Sequence, residues 1–215
     1  MYFVNLIKAV FTWGNIFRCI VFACIPAGLF YIISVLVMKS AGFDLIQILR
    51  DPAQQTETSS FLGFLSNIGN WAWVSAAAIC FFSAINVGAP GAARRRELTL
   101  MVGTLSLALA VDDFFLIHDR FIHEYILYAT YAVLALALLA RHYRQIVKID
   151  GFPFLLAGTF LALSILTDLI QLDIPVRYSH SQVVEEGFKF LGATTWLYFS
   201  VRMGLSFQQF LTRKA

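Results

Sequence analysis

The chain has 215 residues, of which 59% are hydrophobic and 13% are charged, and its mean hydropathy is +0.73. A soluble domain carries about 25% charged residues, so this composition excludes an ordinary soluble domain and favours a protein whose surface faces lipid. The net charge of +3 is too small to indicate nucleic-acid binding, and the three cysteines lie in apolar runs without a CxxC pattern, which argues against disulfides and zinc knuckles.

In chain order, the sequence first predicts an interfacial helix over residues 1–17, with Tyr2 and Trp13 at the level of the lipid headgroups. Six apolar segments follow, each near the roughly 20 residues that a helix needs to cross a bilayer. They cover about residues 18–38, 61–87, 98–117, 125–140, 152–170 and 183–205. The connections contain turn-forming residues, as in GAPGAARRR and KIDGFP. The predicted fold is therefore an all-α polytopic membrane helical bundle, a single domain with six transmembrane helices.

The basic residues predict how this bundle is oriented. With the N-terminus inside, the cytoplasmic side carries eleven of the 16 Lys and Arg residues, including the run Arg94, Arg95 and Arg96. The positive-inside rule then places both termini in the cytoplasm, and we expect a bacterial inner (plasma) membrane protein. The run at 94–96 is also expected to contact lipid headgroups, and the nearby His142 is expected to lie on a solvated face.

Acidic residues show the opposite distribution, and they define the candidate site. The stretch VDDFFLIHDRFIHE places Asp112 and Asp113 near the outer end of the third predicted span. The fifth span brings Asp168 to the same level, and the sixth brings Glu185 and Glu186. A charged side chain in lipid is unfavourable by about 2.5–3.5 kcal/mol, so such groups pair and face the bundle interior. The sequence therefore predicts a polar cavity near the extracytoplasmic face.

The periodicity of an α-helix predicts which of these side chains share a face. Asp112, Leu116, Asp119 and His123 fall on one face if the third helix continues that far, whereas His118 points away from it. The turn to the fourth span is predicted at about residues 118–124, where the sequence is most polar.

A metal site is the first interpretation of the cluster, because carboxylates and imidazoles from several helices bind Zn, Fe or Mn. The predicted metal ligands are Asp112, His118, Asp119, His123 and Asp168. The predicted catalytic residues are Glu185, Glu186 and Asp113, with either glutamate as a ligand or the general base. The alternative is a structural network in which Asp113 pairs with Arg120 and Glu185 pairs with Lys189.

Two short motifs resemble known membrane enzymes. EEGFK, residues 185–189, resembles the EExxK element of the PrsW-type and CAAX-type intramembrane protease families, which implies a glutamate that activates water with the help of histidines from other helices. VDDFF and FLSNIGNW resemble the Asp-bearing and Ser-Asn elements of the ceramidase and adiponectin-receptor superfamily, which implies intramembrane metal hydrolysis.

These features lead to one principal functional hypothesis and two alternatives. The principal hypothesis is a metal-dependent hydrolase or lipid-modifying enzyme, in which a bound divalent cation activates water. Its partners are membrane lipids, and its substrate is an amphiphile that enters from the outer leaflet. The alternatives are a cation- or proton-coupled transporter and a non-catalytic subunit of a larger membrane complex. Independently of function, Gly187 and Gly192 are expected to allow close helix approach.

Overall fold

The structure is a computed structural model that describes Trp13, Phe17, Val21 and residues 24–49, 52–59, 61–85, 93–170 and 178–212, some of them by their backbone alone. These residues form helices and turns, and no strand occurs among them, so the all-helical prediction is confirmed for this part of the chain. Apart from Trp13 and Phe17, the predicted interfacial helix lies outside the described residues. The chain divides into two compact units, Met1–Leu62 and Gly63–Ala215.

The first unit contains helix α1, Ile25–Ser40, and two short helices, α2, Leu45–Leu49, and α3, Pro52–Gln55. Helix α1 is apolar and ends at a turn in which Gly42 adopts a φ of +95°, a conformation that glycine enters without steric penalty. The amide of Phe43 donates to the carbonyl of Met38 across this turn, which satisfies one of the last helical carbonyls. The described part of the first predicted span is thus helical.

The second unit contains five helices among its described residues. They are α4, Phe64–Ile85; α5, Ala93–Phe115; α6, Ile117–Arg120; α7, Glu124–Ile170; and α8, Tyr178–Thr212. Three of them, α4, α5 and α7, are long and apolar enough to cross a membrane.

Helix α7 consists of two limbs joined at Asp150, whose φ of −177° and ψ of 94° are not helical. The Tyr128 hydroxyl donates to Asp168 Oδ2 at 3.1 Å although the two residues are 40 positions apart, so residues 124–149 and 151–170 must run antiparallel. Pro153 lies in the first turn of the second limb, where its missing N–H leaves no helical carbonyl unpaired. Arg202 Nε of α8 lies 3.4 Å from Asp150 Oδ2, so an ion pair connects α8 to this turn.

The core of this unit is apolar and tightly packed. Helix α8 packs against α7 and α4, and α5 packs against α4 and α7. Buried residues from all four helices meet there, including Trp73, Val102, Leu138 and Phe199.

Close helix approach depends on particular glycines. A Cβ at Gly192 would lie 2.8 Å from the Leu161 side chain, so Gly192 lets α8 approach α7 as predicted. Gly103 plays the same part where α5 meets Cys80 of α4. The corresponding prediction for Gly187 is wrong, because a Cβ there would have nothing within 4 Å among the described atoms.

Candidate functional site

The end of α5 differs from the prediction, and the difference builds the site. Helix α5 stops at Phe115, because Leu116 adopts the left-handed conformation with a φ of 52° and a ψ of 45°. The helix therefore breaks two residues before the region 118–124 where the turn was predicted, and α7 begins at Glu124, the last residue of that region. The backbone amide of His118 donates to Asp112 Oδ1 at 2.9 Å, and His118 Nδ1 lies 3.0 Å from the same oxygen. The prediction that His118 points away from Asp112 is thus wrong, because the helix does not continue through Leu116.

The Asp112 carboxylate is buried, with 8% of its side chain exposed, and donors surround it. In addition to the two His118 donors, the Tyr131 side chain of α7 lies beside it in the same cavity. A carboxylate that binds Nδ1 of a histidine fixes the ring and its tautomer, so that Nε2 is the nitrogen that takes up and releases a proton. Asp112 and His118 therefore form a carboxylate–imidazole pair of the kind used for proton transfer.

Lys189 of α8 is the cation that neutralises the second aspartate of the motif. Its Nζ lies 2.7 Å from Asp113 Oδ1 and 3.4 Å from Glu186 Oε1. The alternative interpretation predicted two ion pairs, and both form with other partners. Asp113 pairs with Lys189 and not with Arg120. Lys189 also pairs with Glu186 and not with Glu185. The i,i+3 spacing of Glu186 and Lys189 places both on the face of α8 that meets α5.

Two further carboxylates have donors from their neighbours. Asp168 accepts from the Tyr128 hydroxyl across the two limbs of α7. Glu185 Oε2 accepts from Gln182 Nε2 at 2.7 Å on α8. Each of these acids is thus held in a defined position by a hydrogen bond that fixes where its oxygens lie.

These groups share a cavity of about 240 Å³ inside the second unit, which we call the membrane pocket. Its polar wall consists of Asp112, Asp113, His118, Tyr128, Tyr131, Ser164, Asp168, Glu185 and Lys189. Its apolar wall includes Leu105, Leu109, Phe154, Leu161 and Trp196. The predicted convergence of acids from separate helices is therefore observed for Asp112, Asp113, Asp168 and Glu185.

The apolar end of the pocket is closed by a buried polar contact. Trp196 Nε1 donates to Ser106 Oγ at 2.8 Å, and Ser106 Oγ in turn donates to the carbonyl of Val102. Ser106 is fully buried, so both hydrogen bonds act without competition from water. This contact ties α8 to α5 just below the pocket.

One side of the pocket is lined by small residues that are also exposed on the surface of the unit. Ala132 lies on the first limb of α7, and Gly158 and Ala162 lie on the second limb. The pocket therefore borders the exposed surface of the unit at these small residues of the two limbs of α7.

The remaining predicted site residues lie elsewhere or are described only in part. Glu186 lines a small adjoining void and not the membrane pocket. It contacts Lys189, which lines both cavities. His123 is exposed and stacks on Tyr125 with ring centroids 5.0 Å apart. For Asp119 the backbone alone is described, within α6. Among the described side chains, no group of three or more His, Cys, Asp or Glu residues is arranged to hold a metal ion.

The sequence interpretation missed the two tyrosines of the site. Tyr128 and Tyr131 are three residues apart on α7, so both face the pocket. A signal was present in the sequence: both lie within the predicted fourth span, and a tyrosine hydroxyl inside a span needs a polar partner. The acids beside them, Asp168 and Asp112, are the ones that the sequence had singled out.

Comparison with known proteins gives a family but no function. Residues 19–203 match the family model described as a domain of unknown function, DUF8692. Because the match spans most of the chain, the protein belongs to this family. No curated protein and no solved structure matches the chain.

Proposed function

We propose that the protein is an intramembrane hydrolase or lipid-modifying enzyme that acts on an amphiphile bound in the membrane pocket. The observation that carries this proposal is that a single cavity joins the Asp112–His118 pair to an apolar interior. An amphiphile matches such a cavity, because its polar group meets the charged wall while its hydrocarbon part stays among Leu105, Leu109 and Phe154. The exposed small residues that line the pocket on both limbs of α7 form the side from which a substrate would enter from the lipid.

The proposed reaction uses His118 as the group that moves protons. Nε2 of His118 takes a proton from a water molecule as the water oxygen bonds to the carbonyl carbon or phosphorus of the substrate ester. The same proton then passes to the departing alkoxide when the ester bond breaks. Asp112 keeps the ring oriented and stabilises the imidazolium that exists between the two steps.

The other polar residues of the pocket supply charge and donors to the reacting group. Lys189 is the pocket's cation, and it stabilises negative charge that develops on a substrate oxygen. Asp113 and Glu186 hold its ammonium group in place. Tyr128 donates its hydroxyl proton to Asp168 and leaves its phenol oxygen on the same wall, so the substrate group meets both a cation and a neutral acceptor.

A divalent metal remains part of this proposal as a second route to an activated water. Asp112, His118 and Asp168 line one pocket and have the oxygen and nitrogen donors that Zn, Fe or Mn prefers. Their described arrangement serves hydrogen bonds and does not surround one point, so the steps above pass through no metal. Elemental analysis of the purified protein tests this route; stoichiometric metal in the wild type that is lost in Asp112→Asn would establish it.

We also propose that the helices cross the membrane six times, with both termini in the cytoplasm and the membrane pocket in the outer half of a bacterial inner membrane. The antiparallel limbs of α7 support two of these crossings. The opposite ends of α5 support the orientation, since Arg94, Arg95 and Arg96 begin the helix while Asp112 and Asp113 end it.

Turnover in proteoliposomes tests the enzymatic proposal. Wild-type protein is reconstituted and given a panel of fluorogenic esters and phosphoesters with short acyl chains. Asp112→Asn keeps an oxygen that can accept from both His118 donors, so the fold is preserved while the negative charge is lost. We expect turnover to fall by at least about a hundredfold, the scale of general acid–base catalysis.

Asp150→Asn is the matched control, because it removes an acid of the same size from the turn of α7, outside the pocket. Retained turnover in this control and loss in Asp112→Asn would support the proposal. Equal turnover in Asp112→Asn and wild type would contradict it. If no ester is hydrolysed but wild-type vesicles carry a cation or proton flux, the protein is a transporter.

A further inference from the structure

A second polar cavity lies at the opposite end of the bundle from the membrane pocket. Its volume is about 540 Å³, and three arginines line it: Arg94 at the start of α5, and Arg141 and Arg144 on the first limb of α7. Arg94 and Asp112 are 18 residues apart in α5, which corresponds to about 27 Å of helix, so the two cavities are separate sites. We call this one the arginine cavity.

Charge distinguishes the arginine cavity from an ordinary surface groove. Its lining contains three guanidinium groups and no carboxylate. The nearest acid with a described contact is Glu97, whose Oε1 accepts from Arg141 Nε. Arg144 Nε donates to the Tyr143 hydroxyl at 2.8 Å, so this arginine has a neutral partner. A cavity with this excess of positive charge favours an anionic ligand.

His142 forms part of the same wall and provides a second observation. It is buried, and its Nδ1 donates to Gln145 Oε1 at 3.0 Å, because the amide oxygen can only accept. Its Nε2 is buried without a hydrogen-bond partner among the described residues, and it lies 3.9 Å from Glu97 Oε2. The sequence expectation that His142 lies on a solvated face is therefore wrong; the ring packs between the charged wall and the core.

These contacts suggest how an anion would be accommodated. A ligand that draws Arg141 away from Glu97 would leave that carboxylate without its cation. His142 Nε2 already lies 3.9 Å from Glu97 Oε2, so the carboxylate would still face the imidazole ring when Arg141 turns to the ligand. Arg141 would thus become available to the ligand.

We propose that the arginine cavity binds a phosphate group. Guanidinium is the side chain that matches the planar, bidentate recognition of phosphate, and three of them converge here. A cavity of about 540 Å³ accommodates a phosphate with its glycerol and a further small group. The ligand is therefore either the headgroup of an anionic phospholipid or a free phosphate, and both have the same recognition chemistry.

Binding to purified full-length protein in a neutral detergent tests this proposal. Thermal unfolding is followed while short-chain phosphatidylglycerol, short-chain phosphatidylcholine or inorganic phosphate is added in separate titrations. We expect phosphatidylglycerol or inorganic phosphate to raise the unfolding temperature with saturation, and each arginine removed to weaken binding about fivefold. The double variant R94Q/R144Q changes two exposed side chains and keeps the Arg141–Glu97 pair.

Arg202→Gln is the matched control, because it removes an arginine from α8 that does not line the cavity. Saturation by phosphatidylglycerol alone identifies a lipid headgroup, and saturation by inorganic phosphate identifies a free phosphate. Either result supports the site if binding is weaker in R94Q/R144Q and unchanged in Arg202→Gln. No response to either anion, or equal affinity in wild type and R94Q/R144Q, would overturn the proposal. The ¹⁵N resonances of the His142 ring provide a second measurement, because Nε2 lies 3.9 Å from Glu97 Oε2 and should shift when Arg141 leaves that carboxylate.

Discussion

Removing the cation at Lys189 is expected to destabilise the protein through the acid that it neutralises. Lys189 Nζ is 2.7 Å from Asp113 Oδ1, and only 8% of the Asp113 side chain is exposed. Lys189→Met keeps the length and volume of the side chain and removes its charge, so Asp113 would remain as a nearly buried carboxylate without a cation.

The size of the effect follows from burial. Removing one partner of a fully buried ion pair costs about 3–5 kcal/mol, whereas an exposed pair contributes about 0–1 kcal/mol. The side chains of Lys189 and Glu186 are 27% and 39% exposed, so the Lys189–Glu186 pair is partly open to solvent. The Lys189–Asp113 pair is closer to a buried ion pair, because its acid is nearly buried. We therefore expect Lys189→Met to lower the free energy of unfolding by about 2–3 kcal/mol, between those two limits.

A double-mutant cycle separates this pairing from other effects of the substitution. Asp113→Asn removes the acid. The loss of unfolding free energy in the double variant Asp113→Asn/Lys189→Met should be about 1–2 kcal/mol smaller than the sum of the losses in the two single variants. Unfolding is measured by circular dichroism as sodium dodecyl sulfate is added to protein in neutral micelles. Lys148→Met, on an exposed position of α7, is the control and should change stability by less than about 0.5 kcal/mol. Additive losses, or a Lys189→Met variant as stable as this control, would refute the reasoning.

Two further predictions concern the packing of the bundle. Gly192→Val should lower the free energy of unfolding by about 1–3 kcal/mol, because even a Cβ there would lie 2.8 Å from Leu161. Gly187→Val should be tolerated, because a Cβ at that position would have nothing within 4 Å. Unfolding in mixed micelles measures both variants, and equal losses of stability would contradict the packing argument. Ser106→Ala should cost about 1–3 kcal/mol, because it leaves the buried Trp196 N–H without its acceptor. Unfolding in the same micelles measures this change, and a stability equal to that of the wild type would show that the hydrogen bond contributes nothing.

Composition and helix periodicity predicted the all-helical fold and the level of the site. Apolar runs determine where long helices form, and acids in such runs must face one another. Asp112, Asp113, Asp168 and Glu185 therefore met as predicted, although they come from three different helices.

The details of the site depended on backbone conformation and on packing between helices. The helix break at Leu116 could not be predicted, because leucine rarely adopts a positive φ. That break brings His118 to Asp112. The choice of Asp113 over Glu185 as a partner of Lys189 depends on how α8 rotates against α5, which sequence spacing within one helix does not specify.

The most direct test of the central claim is whether an amphiphile occupies the membrane pocket. Gly158 lines the pocket where it borders the exposed surface, and a Cβ there would have nothing within 4 Å, so Gly158→Phe places a ring at the edge of this cavity of about 240 Å³ with no clash at its Cβ. Gly187→Phe is the matched control outside the pocket.

Native mass spectrometry after exhaustive detergent exchange measures which lipids each protein retains. The account predicts that the wild type and Gly187→Phe each keep one molecule of the same amphiphile per chain, and that Gly158→Phe keeps none. Identical lipid retention by all three proteins would contradict it.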